Sequence, residues 1–268
     1  MSARAMDITT HPMLRTAVGI ILAFLLAPLF FVVIVSFTAG AVPSFPPEGW
    51  SLRWYGEALG HELFQRGMVT SVWLALAATL IATPIGTLAA IGIARTDFAG
   101  REALQTFLLA PLIVPTIVVG IAILVACVDL RVKDSAIRLI VGHVVIVLPY
   151  SIRTVLASLN RGDVVLEEAA RTLGASTTRV FYHVTLPLCR PGVIAGMILA
   201  FIISFDDVAV SLFLVDSRNN TLPIAILAYL EYNFDPSISA ISALLIFVTL
   251  AGAIAIEKVF GLRKALGV

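Results

Sequence analysis

The sequence predicts an all-α, polytopic membrane protein with six transmembrane helices. Hydrophobic residues make up 59% of its 268 positions and charged residues only 13%, with a mean hydropathy of +1.01. Soluble domains carry about 25% charged residues, so lipid is the expected surrounding of most of this chain. Six apolar segments approach the roughly 20 residues that cross a bilayer as a helix. They are Leu14–Phe37, Met68–Ala94, Leu104–Cys127, Ile137–Leu156, Pro191–Val215 and Ile238–Ile256.

The first apolar segment raises one alternative, a cleaved signal peptide. Arg4 and Arg15 precede it and small residues follow it, as they do in secretory signals. Its apolar run from Ala17 to Phe37 is longer than the roughly 7–15 residues of a signal core. We therefore predict an uncleaved spanning helix. No repeat or second domain is visible, so the sequence predicts a single transmembrane domain over residues 1–268.

The distribution of basic residues predicts that both termini lie in the cytoplasm. Cytoplasmic loops of membrane proteins are enriched in Lys and Arg. With both termini inside, six of the 18 basic residues fall outside and twelve inside. The reverse orientation would place the basic stretch from Arg153 to Arg190 outside. The six outer residues are Arg53, Arg66, Arg131, Lys133, Arg138 and Arg218.

Charge and cysteine content narrow the function classes. The net charge of +1 lacks the basic excess of a nucleic-acid-binding protein. Cys127 and Cys189 are expected at opposite membrane faces, about 30 Å apart, so no disulfide between them is predicted. His143 is the one histidine within an apolar segment, which disfavours a membrane enzyme. We interpret His143 as a hydrogen-bonded contact between helices.

Prolines and glycines inside the apolar segments bear on how the helices pack. A proline in a membrane helix is tolerated where neighbours satisfy the freed carbonyl group, so we interpret these prolines as kinks. Spaced glycines permit close contact between helices. The residues concerned are Pro84, Pro111, Pro115 and Pro149, and the pairs Gly86 with Gly92 and Gly192 with Gly196.

The segment between the fourth and fifth apolar stretches predicts two short helices joined by a turn at the membrane surface. Asp163 is a good N-cap, and Glu167 lies near the positive end of the first helix. Gly174 can adopt the left-handed conformation that ends this helix. Ser176 is suited to cap the second helix, which Pro187 is expected to stop.

Within this segment several residues stand at fixed spacings, in the order Glu168, Ala169, Ala170, Gly174, Val184, Leu186 and Pro187. This pattern resembles the EAA loop of the inner-membrane subunits of binding-protein-dependent ATP-binding-cassette importers. The family has Glu-Ala-Ala, three residues, Gly, nine residues, an aliphatic residue, one residue and Leu-Pro. Every fixed position is matched. The alternative is an amphipathic surface helix that has no partner.

The resemblance implies that this loop couples the permease to an ATPase. In the family, the first short helix docks into a groove on an ATPase subunit. Glu168 would offer a charge there, while small Ala169 and Ala170 allow close approach. The family also implies two ATPase subunits, a second homologous permease and a periplasmic binding protein. No lysine of this chain follows a glycine as a phosphate-binding loop requires, so ATP and Mg²⁺ are expected on the partner ATPase, with no cofactor on this chain.

Four further stretches carry a narrower resemblance: Phe45–Tyr55, Ser204–Asp207, Thr221–Pro223 and Tyr232–Pro236. They resemble the second permease of spermidine/putrescine-type importers. The resemblance implies a bacterial inner-membrane protein that moves a small, polyamine-like organic cation from the binding protein into the cytoplasm. Related branches carry opines, amino-acid-like or other organic solutes. An ATP-independent secondary transporter or channel stays a further alternative, although it would need no EAA loop.

Two adjacent acids in the fifth apolar segment are candidate pathway residues. An acid at a helix centre costs roughly 2.5–3.5 kcal/mol on insertion scales, so Asp206 and Asp207 are expected to serve a function. On a continuous helix Asp207 shares a face with Ser204 and Ser211, which favours Asp207 as the pathway residue and Asp206 as its helper. The alternative is that both acids only bond neighbouring helices.

A second candidate group lies between the fifth and sixth segments. Tyr229, Glu231 and Tyr232 combine aromatic rings with a carboxylate, a combination that suits an organic cation. The alternative is an ordinary belt of aromatic residues at the membrane interface.

Overall fold

The computed structural model describes residues 12–159 and 161–260, and the regular secondary structure of these residues is helical, as predicted. One isolated bridge pairs Thr38 with Trp50. A 3₁₀ turn, Ala110–Leu112, follows α4, and a π-helical turn, Phe181–Thr185, follows α8. The helices are α1 (Pro12–Val35), α2 (Arg53–Gly60), α3 (Glu62–Arg95), α4 (Arg101–Leu109), α5 (Thr116–Asp129), α6 (Ser135–Ser158), α7 (Arg161–Thr172), α8 (Thr177–Val180), α9 (Leu186–Phe205), α10 (Ser211–Leu214), α11 (Leu222–Tyr232) and α12 (Ser237–Phe260).

Several of these helices have the length and composition of membrane spans. Within the described ranges, four helical stretches are long and apolar enough to cross a bilayer. A fifth span is possible if a bent pair, α4 with its 3₁₀ turn followed by α5, counts as one. A helical protein with several membrane spans is thereby confirmed. The four stretches are Met13–Val35, Glu62–Arg95, Ser135–Ser158 and Thr177–Phe205.

The third apolar segment was predicted as one helix, Leu104–Cys127, and this prediction is wrong. The chain bends by 105° between the 3₁₀ turn and α5. Pro115 lacks an N–H group and disfavours a helical conformation in the residue before it, which ends the first part. Pro115 itself is extended, with ψ 127°, and stands just before α5. Pro84 and Pro149, by contrast, lie inside the continuous helices α3 and α6.

The described residues form two compact units. The first contains residues 12–61 and 230–251. In it, the hydroxyl groups of Ser36 and Tyr55 hydrogen-bond at 2.7 Å, and the indole N–H of Trp54 donates to the carbonyl group of Gly40 at 3.1 Å. These bonds tie the chain that follows α1 to α2. The second unit contains residues 62–159, 161–229 and 252–260.

The core of the second unit lies where α3, α6 and α9 pack together. Small side chains on α3 allow this packing, and larger aliphatic side chains on α6 fill the space between the helices. Two side chains from the stretch after α9 complete the cluster. Its buried members are Leu74, Ala78, Ala82, Leu139, Ile146, Val147, Ala200, Val210 and Leu214.

Glycines set the distance between the helices at three of the four predicted positions. A Cβ atom added to Gly86, Gly192 or Gly196 would lie under 3.0 Å from atoms of α6. These glycines therefore bring α3 and α9 against α6 more closely than any other residue would permit. Gly92 differs, because an added Cβ atom there would have nothing within 4 Å. The predicted close contact is confirmed for the first three glycines and wrong for Gly92.

Candidate functional site

The chain turns sharply through Gly174 between α7 and α8. Gly174 has φ +87°, the left-handed conformation that favours glycine. The N–H groups of Gly174 and Ala175 donate to carbonyl groups in the last turns of α7 at 2.9 and 3.1 Å, which is a Schellman motif. The Ser176 hydroxyl accepts a hydrogen bond from the N–H of Arg179 at 3.4 Å and begins α8. The predicted turn and the predicted second cap are both confirmed.

Two predicted boundaries of this loop are wrong. α7 begins at Arg161, so Asp163 lies within the helix rather than before it, and its side chain lies outside what the structure describes. Pro187 does not stop the second helix, because the chain stays helical from Thr177 to Phe205. Pro187 stands in the first turn of α9, directly after the π-helical turn. There its missing N–H group is accommodated by the wider turn that precedes it.

The two neighbouring glutamates of α7 point in different directions. Glu167 is 3% exposed, and its carboxylate accepts a hydrogen bond from Nε of Arg95 at 3.0 Å. Glu168 is exposed, as is Ala169, whereas Ala170 is half-buried. Successive residues of a helix point about 100° apart, which separates the two carboxylates. Glu168 is therefore free to meet another protein, while Glu167 faces its own chain.

Apolar side chains also lie uncovered on this loop, a feature that the sequence reasoning missed. Leu173 is 89% exposed, and Val165, Leu166 and Tyr182 are each more than half exposed. A leucine in the polar stretch directly before Gly174 was the available signal. Exposed apolar side chains at such positions are typical of a contact surface for another protein or for a membrane.

The fifth apolar segment breaks after Phe205, contrary to the predicted continuous helix Pro191–Val215. Asp207 explains the break, because its Oδ2 atom accepts hydrogen bonds from the N–H groups of Val210 at 3.1 Å and Ser211 at 2.8 Å. The carboxylate thus takes the place of a backbone carbonyl group and starts α10 in the manner of an N-cap. Asp206 directly follows the last residue of α9 as its C-cap and is exposed.

A fully buried histidine gathers the polar residues around this break. Nδ1 of His143 lies 2.8 Å from the Ser204 hydroxyl, and Nε2 lies 3.0 Å from the Ser211 hydroxyl. Oδ2 of Asp207 lies 3.9 Å from Nε2. The predicted grouping of Ser204, Asp207 and Ser211 is therefore present, but around the His143 ring rather than on one helical face. The interpretation of His143 as a hydrogen-bonded contact between helices is confirmed.

Comparison with known proteins identifies the family. Residues 82–261 match the family model described as binding-protein-dependent transport system inner membrane component. The chain belongs to this family of permeases. The permease is 30% identical over 230 residues to the putrescine transport system permease protein PotI of Escherichia coli K12, covering 83% of this chain and 82% of that protein. It is also 30% identical over 232 residues to the spermidine/putrescine transport system permease protein PotC of Haemophilus influenzae, covering 87% and 90%.

Solved structures share the fold of the permease. A bacterial ABC transporter involved in the import of the acidic polysaccharide alginate contains a chain with a TM-score of 0.66 and 16% identity, covering 92% of this chain and 93% of that chain. A bacterial alginate ABC transporter in complex with an alginate pentasaccharide-bound periplasmic protein contains a chain with a TM-score of 0.67 and 16% identity, covering 95% of this chain and 93% of that chain. The permease is therefore a multi-pass protein of the inner membrane with this architecture.

The remaining candidate residues of the permease differ in exposure. The ring of Tyr229 packs against that of Phe64, with 5.0 Å between their centroids. Glu231 is exposed, and Tyr232 is 86% exposed. Only Tyr229 is therefore held by a ring contact, whereas the other two are open to an external ligand.

An apolar cleft of about 300 Å³ lies between α3, the π-helical turn and α9. Its lining carries no charged side chain. Among residues 12–159 and 161–260, no group of three or more His, Cys, Asp and Glu could hold a metal ion. The lining residues are Thr79, Leu80, Thr83, Pro84, Thr87, Leu88, Phe181, Leu186, Val193 and Met197.

Proposed function

We propose that this permease drives import by docking α7 and the turn at Gly174 onto a partner ATPase. The observation that carries the proposal is the exposed surface of α7, where Glu168 shares a face with uncovered Val165, three residues before it. Ala169 and Ala170 allow close approach, and Leu186 and Pro187 begin the helix that receives the motion. Two ATPase subunits holding ATP and Mg²⁺, a second homologous permease and a periplasmic binding protein complete the proposed assembly.

Charge reversal at Glu168 tests this docking. Glu168→Lys should leave the permease inserted but lower its copurification with the ATPase and the hydrolysis stimulated by the solute-loaded binding protein. The matched control is Glu102→Lys, which changes an exposed glutamate on α4 in the same way. A Glu168→Lys complex that assembles and turns over like the parent would contradict the docking role.

The solute that we propose is a small organic cation of the polyamine class. Relatives covering most of the chain are named for putrescine and for spermidine with putrescine. Asp207 is held by two backbone N–H groups, and exposed Asp206 lies beside it, so two carboxylates stand at the break in the fifth apolar segment. Ser204 and Ser211 line the same break. An opine, an amino-acid-like solute, or ATP-independent transport remains the competing function.

Uptake of radiolabelled putrescine into liposomes tests the charge selection. Asp206→Asn and Asp207→Asn should each lower uptake about tenfold or more, equivalent to about 1.4 kcal/mol, while basal ATP hydrolysis persists. Asp207→Asn should also lower thermal stability, because this side chain caps α10. Normal uptake in both variants, or a solute that proves to be an anion, would rule out selection by these carboxylates.

The proposed outer mouth contains Tyr229, Glu231 and Tyr232. A cation over an aromatic ring gains about 0.5–2 kcal/mol, and a nearby carboxylate adds attraction. Glu231→Gln should therefore weaken transport of a cationic solute without changing assembly. Glu57→Gln, a change at another exposed glutamate, serves as the control. Equal transport by the two variants would leave Glu231 and the tyrosines as interfacial residues only.

We further propose a single transmembrane domain over residues 1–268, with six spans and both termini in the cytoplasm. The four long apolar stretches, the bent pair and the 24-residue α12 supply the required segments. The native cysteines are free and buried, so they suit this test poorly. In a chain lacking them, an impermeant thiol reagent should reach Ser217→Cys from outside and Thr178→Cys only after permeabilisation. Labelling of both from one side would contradict the topology.

A further inference from the structure

A buried ion pair joins α7 to the end of the longest helix. Arg95 is the last residue of α3, and its Nε donates to Oε1 of Glu167 at 3.0 Å. The two side chains are only 14% and 5% exposed. Exposed ion pairs contribute little, whereas loss of one partner from a buried pair leaves an uncompensated charge. This contact therefore holds α7 and α3 together.

Glu167 provides a side-chain hydrogen bond from α7 to a spanning helix. Of the α7 side chains that the structure describes, those of residues 164–172, only that of Glu167 hydrogen-bonds to another helix. α3 runs for 34 residues and packs against α6 and α9. This ion pair therefore gives a displacement of α7 a direct route to the end of α3. Exposed Glu168 stands one residue along on the outward side.

We propose that the Arg95–Glu167 ion pair is the joint that transmits movement of the coupling helix α7 to α3 during transport. Arg95 and Glu167 are positioning residues, since neither meets solute or nucleotide. The proposal rests on the proposed docking of α7 to an ATPase. Within that function the two glutamates have different roles. Glu168 contacts the ATPase, and Glu167 transmits the movement of α7 to α3.

The ratio of solute imported to ATP hydrolysed tests the joint. The experiment uses the assembled complex in liposomes, with the binding protein and putrescine. Glu167→Gln and Arg95→Gln should each lower the ratio about 2- to 30-fold, the range expected for residues that carry coupling between sites. The control is Asp97→Asn, which removes an exposed ion pair with Arg101 of the same 3.0 Å length. The control should leave the ratio unchanged.

The double variant separates a joint from two unrelated effects. Because both substitutions break one contact, Glu167→Gln combined with Arg95→Gln should lower the ratio by no more than about the larger single loss. Losses that multiply, or a ratio unchanged in both single variants, would overturn the proposal. A general loss of stability would lower uptake and hydrolysis together and leave the ratio intact, which would also overturn it.

Assembly is monitored by copurification with the ATPase. If Glu167→Gln fails to assemble, Glu167→Asp replaces it, because aspartate keeps the charge but shortens the reach to Arg95. Glu167→Asp should assemble and lower the ratio, and an unchanged ratio would overturn the joint. The result for Glu168→Lys distinguishes the two proposals. Normal assembly of Glu168→Lys with the ATPase would refute the docking. If Glu168→Lys fails to dock while the Glu167 variants keep a normal ratio, only the joint is refuted.

Discussion

Replacing His143 with leucine would remove the ring that holds the break in the fifth apolar segment. The imidazole bonds Ser204 at the end of α9 and Ser211 at the start of α10, and it lies beside the carboxylate of Asp207. Leucine has a similar volume, so His143→Leu removes hydrogen bonds without opening a large cavity. The perturbation therefore isolates the polar contribution of the ring.

The size of the effect follows from the two hydrogen bonds. Side-chain hydrogen bonds between membrane helices average about 0.6 kcal/mol and reach about 1.7 kcal/mol. Two such bonds, at 2.8 and 3.0 Å, set an expected loss of about 1–3 kcal/mol in the free energy of unfolding. The Ser204 hydroxyl can turn back to a carbonyl group of its own helix, which limits the loss. The buried Ser211 hydroxyl, left without its hydrogen-bond partner, increases the loss of stability.

Unfolding of the purified protein by titration with SDS in mixed micelles measures this loss. His183→Leu is the matched control, because that exposed ring bonds only the carbonyl group of Arg179 in its own helical stretch. The combination of His143→Leu with Ser211→Ala should cost less than the two changes summed, since they share one bond. A His143→Leu protein as stable as the parent, or additive losses, would refute the reasoning.

Three further predictions concern glycines and one loop. Gly192→Ala should lower the free energy of unfolding by about 1–3 kcal/mol, because the added Cβ atom would crowd α6, whereas Gly92→Ala should be neutral or stabilising by up to about 1 kcal/mol. Gly174→Ala should cost about 1–2 kcal/mol at the turn through backbone strain alone, and Gly174→Asn less. Hydrogen bonds from backbone N–H groups, chiefly that of Asn219, lower the pKa of Asp216 below its ordinary value of 3.8. The stabilisation that these bonds give should therefore be complete at neutral pH and be lost as the pH falls through and below that value.

Each of these predictions has a direct check. SDS titration compares the two glycine variants, and equal stability of the pair would contradict the close contact with α6. Hydrogen exchange over residues 171–176 reports the turn, where protection equal to the parent in the alanine variant would contradict the strain. For the loop, Asp216→Asn should flatten the acid dependence of thermal unfolding. An acid dependence unchanged by that substitution would refute the assignment.

Local backbone chemistry made much of the segment between α6 and α9 predictable. Gly174 ends α7 and Ser176 begins α8 through signals contained within a few residues of sequence. The spans built on α3 and α6 were also predictable, because long apolar runs have few alternatives to a helix in lipid. Prolines were harder to interpret, since Pro84 stays within a helix while Pro115 ends one.

Contacts between distant residues account for what the sequence did not reveal. Apolar residues resume at Val208 directly after the two acids, so the segment was interpreted as one continuous helix, whereas Asp207 caps a new one. The ring that completes this site, His143, lies 61 residues from Ser204. The partner of Glu167 likewise lies 72 residues away, at Arg95. Such pairs form only when helices pack, and no periodicity along one helix encodes them.

The π-helical turn makes the direction of α7 depend on the number of residues between Gly174 and Val184. Such a turn holds one residue beyond the ordinary helical repeat, and each residue rotates a helix by about 100°. A chain one residue shorter between Gly174 and Val184 could form an unbroken helix with α9 unchanged. In that case α7 would rotate by about 100° around the axis of α9 and point in another direction. An insertion or deletion in this stretch would therefore change the direction of α7, which a substitution that keeps the helical turns would not do.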